Sequence, residues 1–201
     1  MNDILNILTR TYKRPVSFRD CRQSILSQTY DNINHIIGSP IKCNYYPDAM
    51  LFKTPKTTKR SVNLYMYELA EKVNSGWVMY LDDDDKFMTE TSASKIMSEI
   101  DHDDQLLLWR VKIGKIIVPA DKYFGRTIKQ GHISGIGFAF HSKHLPAPWD
   151  AGHASDHRVI KHFADKLEVK WIDKILTRTQ GSRNHKGAIP KKDLPKKKKK
   201  S

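Results

Sequence analysis

The amino-acid sequence predicts an α/β fold in which a mainly parallel, mixed sheet is flanked by helices on both faces. Three observations carry this expectation. Short apolar runs alternate along the chain with segments whose apolar residues recur at helical spacing. Residues 77–81, Trp-Val-Met-Tyr-Leu, are apolar without interruption, as in a strand buried on both faces. The 201 residues suffice for one full core and leave too little for two.

The elements follow in order. Residues 4–8 read as a first buried strand. Pro15 opens a helix that carries Phe18, Cys21 and Ile25 on one face and stops near Gln28. A second short strand spans 34–37 and is closed by Gly38-Ser39-Pro40. Over residues 59–73 the stripe Val62, Met66, Leu69, Ala70 and Val73 predicts a helix, ended by Asn74-Ser75-Gly76. The strand at 77–81 comes next, then a helix near 90–100. A strand pair over 106–119 turns at Gly114, and a strand follows at 133–140. A helix from Ser155 buries Ile160, Phe163, Ala164 and Leu167, and 169–176 is the last strand. No internal repeat is present. Residues 1–185 are expected to form a single domain.

The strand at 77–81 runs directly into Asp82-Asp83-Asp84-Asp85. In an open α/β sheet, ligands bind beyond the carboxyl ends of the strands. Carboxylates this close repel one another and raise each other's pKa unless a cation neutralises them. Hard oxygen ligands favour Mg²⁺ or Mn²⁺, and such ions commonly take phosphate oxygens as further ligands. A solvated acidic loop is the plainer reading. A calcium EF-hand does not fit, since the loop lacks a glycine at its sixth position and a glutamate at its twelfth.

Together with three further segments, this cluster resembles the family 2-type glycosyltransferases of the GT-A fold. Leu5-Asn-Ile-Leu-Thr-Arg-Thr-Tyr-Lys-Arg-Pro15, followed by Ser24-Ile-Leu-Ser-Gln-Thr-Tyr30, is similar to their first strand and helix. Lys59-Arg-Ser-Val-Asn63 is similar to the start of a later helix, and the segment from Trp77 to Phe87 to their strand with an Asp-x-Asp-Asp motif. The resemblance covers about residues 4–178. With its Lys-rich end, the chain is most similar to the N-terminal domains of large multidomain glycosyltransferases of chlorella viruses.

The resemblance implies a metal-dependent, inverting transfer of a hexose, of glucose or rhamnose type, from a UDP-sugar donor to a hydroxyl of a glycan acceptor. It places Thr9, Arg10, Thr11 and Tyr12 beside nucleobase and ribose, Arg60 beside the nucleotide, and Asp83 near the ribose. Asp82 and Asp84 match the two aspartates of the motif, with Asp84 the first choice for the Mn²⁺ or Mg²⁺. Asp156, in Gly152-His-Ala-Ser-Asp-His157, occupies the place of the base that deprotonates the acceptor; Asp150 is the reserve, and a helix-capping role is the plain alternative. The family's acidic residue after the second strand has no counterpart in Ile36-Ile-Gly-Ser-Pro40. Trp149 and Trp109 are candidates for sugar stacking, Gly135 and Gly137 for close backbone approach to the donor, and His185 for a further ligand of the ion.

The net charge of +13 is uneven: residues 186–201 carry +7, leaving +6 on the rest. Such a Lys- and Pro-rich end is expected to be a disordered linker or tail, joining the domain to others in a longer chain. A nucleic-acid module would interleave its cations with aromatics on one element, so no specific nucleic-acid partner is expected. No stretch has the apolar length of a membrane span, and no secretory signal opens the sequence. With Cys21 and Cys43 read as free thiols, the expected location is the cytoplasm, the host's if the source is a virus. A sugar nucleotidyltransferase would show a Gly-rich loop after its first strand, and Thr9 to Arg14 contains no glycine. A non-catalytic nucleotide- or sugar-binding domain is the remaining alternative.

Overall fold

The computed structural model describes residues 3–53 and 61–180. Arg60, His185 and the Lys-rich end lie outside the described residues.

In chain order the elements are β1 (Leu5–Arg10), α1 (Pro15–Leu26), β2 (Ile33–Ser39), β3 (Met50–Leu51), a 3-10 turn (Ser61–Leu64) leading into α2 (Tyr65–Ala70), β4 (Trp77–Tyr80), β5 (Asp85–Phe87), α3 (Ser92–Met97), β6 (Gln105–Ile113), β7 (Ile116–Val118), β8 (Phe138–His141), α4 (Ser155–Ala164) and β9 (Glu168–Thr179). The strands form one sheet in the order β3-β2-β1-β4-β8-β6-β9-β5, with β7 paired to β6. The sheet is mixed: β1 runs parallel to β2 and β4, β2 to β3, and β6 to β9. The pairs β4–β8, β6–β8, β6–β7 and β5–β9 are antiparallel.

Alternation along the central strands builds two apolar layers. Trp77 and Met79 of β4 join Cys21 and Ile25 of α1 and Ala93 and Ile96 of α3 on one face. Val78 and Tyr80 join Met66 and Leu69 of α2 and Val159, Ile160 and Phe163 of α4 on the other. This double burial is why 77–81 reads as an uninterrupted apolar run. Each fully buried large side chain in these layers contributes about 1.5–3 kcal/mol.

Four elements differ from the sequence expectation. The strand expected at 133–140 begins only at Phe138, because the Gly137 N–H closes a turn onto the Ser134 carbonyl at 2.9 Å. The stripe expected as one helix over 59–73 becomes a 3-10 turn and a six-residue helix, with Met66, Leu69 and Ala70 still facing the core. Strands β3 and β5, of two and three residues, add to the expected set.

The chain order sets the position of the site. From β1 the chain moves outward through β2 and β3, then returns to place β4 on the other side of β1. The crevice beyond the carboxyl ends of β1 and β4 is therefore the topological switch point of the sheet, where open α/β folds bind ligands.

Candidate active site

The loops leaving β1 and β4 meet in a dense charge network. Arg10, at the end of β1, donates from Nε to Asp82 Oδ1 and from Nη2 to Asp82 Oδ2, both at 2.8 Å. Its Nη1 donates to the Val62 carbonyl at 2.9 Å and to Asn63 Oδ1 at 3.2 Å. Such bidentate forks are the strong form of the arginine–carboxylate pair. Burial works against the Arg10 charge, but the pull of Asp82 outweighs it and holds the pKa above its ordinary value. Arg14, the residue before helix α1, forms ion pairs with both Asp83 and Asp84.

The four aspartates have different environments. Asp83 is fully buried and turned into the loop after β1. Its Oδ2 accepts from Thr11 Oγ1 at 2.8 Å and from the Tyr12 N–H at 3.3 Å. Its Oδ1 meets the Arg14 guanidinium as an ion pair without hydrogen-bond alignment. Burial pushes its carboxyl up to about 7, against the pull of Arg14 and Thr11. Asp85 is also buried; burial first, then its three acidic neighbours, raises its pKa well above the carboxylate range. Asp82, Asp84 and Asp85 each present an oxygen such that these atoms all lie within 4.8 Å of one another. A hard divalent cation fits this donor set.

A cavity of about 300 Å³ opens beside this cluster. Asp82, Asp85, Tyr80 and Arg10 line it together with Ser134, Gly135, Trp149 and Asp156. Asp156 lies in the first turn of α4, and the cap residue Ala154, at φ 56°, receives no side-chain capping bond. Among the described residues the Asp156 carboxylate accepts a hydrogen bond from the His157 N–H, at 2.9 Å, whereas Asp150 is engaged by Arg158 and the Gly152 N–H. The Asp156 bond is a contact with a first-turn backbone N–H of α4, and the reserve carboxylate is already paired. Gly135 lies against it: a Cβ there would stand 3.1 Å from the Asp156 Cβ.

Other sequence candidates fall elsewhere. Thr9 is fully buried; its hydroxyl donates to the Leu81 carbonyl at 2.7 Å, so the side chain knits β1 to β4. Tyr12 is 40% exposed at the loop surface. Trp149 lines the cavity edge-on to Tyr80, at 4.9 Å between ring centres. Trp109 is core: it is 1% exposed and its Nε1 donates to Thr177 Oγ1 at 2.9 Å, so it offers no sugar-stacking face. Gly137 is crowded by Val111 and the Trp109 carbonyl rather than open to a ligand. The sequence reading missed Arg14, Asn63 and Asp85. Arg14 had a signal in its place between the first strand and the helix-opening Pro15, and Asn63 in the segment 59–63 that resembles the family's helix start.

No protein-family model matches the chain, and no curated protein matches it. Solved structures do. Staphylococcus aureus TarS residues 1–349 in complex with UDP superpose with a TM-score of 0.67 at 12% identity, over 88% of this chain and 60% of that one. The same protein with UDP-GlcNAc gives 0.59 at 15% identity, over 88% and 58%. The mannosyltransferase PcManGT from Pyrobaculum calidifontis, in complex with GDP-Man and Mn²⁺, gives 0.61 at 13% identity, over 96% and 59%. The chain thus spans about 60% of the length of these structures. At these identities the likeness is one of fold, and the fold is the GT-A-like arrangement of these nucleotide-sugar glycosyltransferases.

Proposed function

We propose that the protein is a glycosyltransferase that moves a hexose from a nucleotide-sugar, of the UDP type, to a hydroxyl of a glycan acceptor, with inversion at the anomeric carbon. The observation that carries this reading is the shared cavity. Asp82 and Asp85 of the acidic cluster line it, with Asp84 converging on them; the same space holds Asp156, a carboxylate that forms no ion pair among the described residues. A fold shared with proteins solved with UDP, UDP-GlcNAc and GDP-Man supports it.

In this reading the donor diphosphate lies over the ends of β1 and β4. Asp84, Asp82 and Asp85 would hold a Mn²⁺ or Mg²⁺, which would supply charge neutralisation to the leaving diphosphate. Arg10 and Arg14 border the same place and supply fixed positive charge. Arg60 is assigned beside the nucleotide on the resemblance alone. Asp156 accepts the proton of the acceptor hydroxyl as its oxygen bonds to the anomeric carbon and the bond to the diphosphate breaks. Attack on the face opposite the leaving group gives inversion in one step. Trp149 borders the sugar. Backbone groups and Tyr12 take over base recognition, for which the usual acid is missing. The resemblance extends the proposal to a domain of a longer chain of the chlorella-virus type, acting in the cytoplasm, with residues 186–201 as the link.

Calorimetry with UDP and Mn²⁺, separately and together, tests the site. Nucleotide binding that tightens with the ion in the wild type and disappears in Asp84→Ala supports the proposal. A folded wild type that ignores both ligands sinks it.

A further inference from the structure

We propose a second anion-binding site, for a small phosphate-bearing compound, in the cavity between α1 and the β5–β9 ribbon. This cavity, of about 310 Å³, is separate from the one lined by Asp156, and Lys86 and Arg178 face it along with Gln23 and Ser24 of α1 and Ser27 just after it. The two cations are directly cross-strand partners in the antiparallel β5–β9 register. Like charges opposed in this way destabilise a strand pair. Among the described residues neither side chain has a hydrogen bond or ion pair, and Arg178 Nε is buried without a hydrogen-bond partner. An orphaned, buried guanidinium nitrogen is costly to a fold. An anion between the two cations would relieve their repulsion.

The chemistry favours a phosphoryl group. A guanidinium offers a fork matched to phosphate oxygens, and an ammonium adds a compact point charge. The two acids that border the cavity, Asp20 and Glu90, do not pair with these cations, and Asp20 is bound instead to its neighbour Arg19 at 3.5 Å. The volume exceeds what a bare phosphate needs, leaving room for a small organic group such as a sugar. The site is independent of sugar transfer, yet it lies one residue from the acidic cluster. Asp85 lines the first cavity and Lys86 the second, because alternate side chains of a strand point in opposite directions.

Nuclear magnetic resonance titration of the ¹⁵N-labelled full chain tests this, at constant ionic strength, with inorganic phosphate in one arm and glucose 1-phosphate in the other. The expected result is saturable shifts at the amides of residues 86–88 and 177–179 in at least one arm. Tighter binding of the ester assigns the site to a sugar phosphate, and equal or weaker binding assigns it to free phosphate. In the Lys86→Gln/Arg178→Gln double variant these shifts should weaken at least about tenfold. The proposal is overturned if the wild-type shifts are absent, if they appear only around Arg10 and Arg14, or if a folded double variant keeps them. Should the double variant fail to fold, the wild-type map alone decides.

Discussion

Asp156 and Gly135 are the two residues on which the proposed chemistry is most exposed to test. Replacing Asp156 by Asn removes the proton acceptor and keeps the shape, so turnover should fall about 10²–10⁴-fold while UDP affinity stays unchanged. Equal activity of the variant would return Asp156 to a structural role. Gly135→Ala brings a methyl group to 3.1 Å from the Asp156 Cβ. It should lower kcat with little change in the melting temperature, since Gly135 is half-buried at the cavity edge. Kinetics and calorimetric melts of the two variants, side by side, separate positioning from folding. At this scale the sequence was partly legible. Four adjacent aspartates announce a cation site, but only the fold divides them. Asp83 turns inward to hold Thr11 and Tyr12, while Asp82, Asp84 and Asp85 converge.

At the scale of elements, β2 carries a titration that its sequence does not announce. His35 Nε2 lies 2.9 Å from Thr9 Oγ1, and its Nδ1 lies 3.3 Å from Arg22 Nη1. Because the Thr9 hydroxyl already donates to Leu81 and Arg22 can only donate, the imidazole carries its proton on Nε2 and accepts at Nδ1. Burial, then the charge of Arg22, lowers its pKa from 6.5 to about 3. The unfolded chain therefore takes up a proton below about 6.5 that the folded chain refuses until about 3. The contribution of His35 to stability is complete above that window and is lost as pH falls through it. Urea unfolding at pH 7 and pH 4.5 should show a larger loss in the wild type than in His35→Gln; equal losses would refute the assignment. The turn into β4 makes a second test. Gly76 sits at φ 87°, and a Cβ there would collide with the Ile4 carbonyl that receives the Trp77 N–H. Gly76→Ala should cost on the order of 1–3 kcal/mol in denaturant unfolding.

The elements themselves were legible where burial writes a strong period. β4, buried on both faces, and α1, with Phe18, Cys21 and Ile25 inward, follow from pattern alone. The misses have a common cause. β3 and β5 are too short to show any period, and their pairing depends on residues far away, such as the Asp85–Thr179 register. At 133–137 the apolar residues suggest a strand, but the turn closed by Gly137 takes the backbone out of the ladder.

For the molecule as a whole, the arginine pairs foretell linked binding of ion and nucleotide. Arg10 engages both oxygens of Asp82, and Arg14 engages Asp84, so the free protein already neutralises part of its acidic cluster. An ion alone must compete with these guanidinium groups; a diphosphate gives them another partner. Mn²⁺ should therefore bind weakly by itself and several-fold more tightly with UDP present, and UDP should gain by the same factor from Mn²⁺. Calorimetric affinities that are independent of one another would refute this. Among the described residues no helix is long and apolar enough to cross a membrane.

Arg10 has a mechanical consequence as well. One guanidinium joins the end of β1, the start of the loop after β4 at Asp82, and the 3-10 turn at Val62 and Asn63. Val62 and Asp82 lie 52 and 72 residues from Arg10 in the chain. The fork ties the 3-10 turn to the already paired β1 and β4, so the opening of one entails the opening of all three. Their amides should exchange hydrogen with solvent as one cooperative unit. Shortening that fork to an ammonium, by Arg10→Lys, should release the 3-10 turn to breathe at its own rate, while β1 and the loop after β4 stay joined through Thr9 and Leu81.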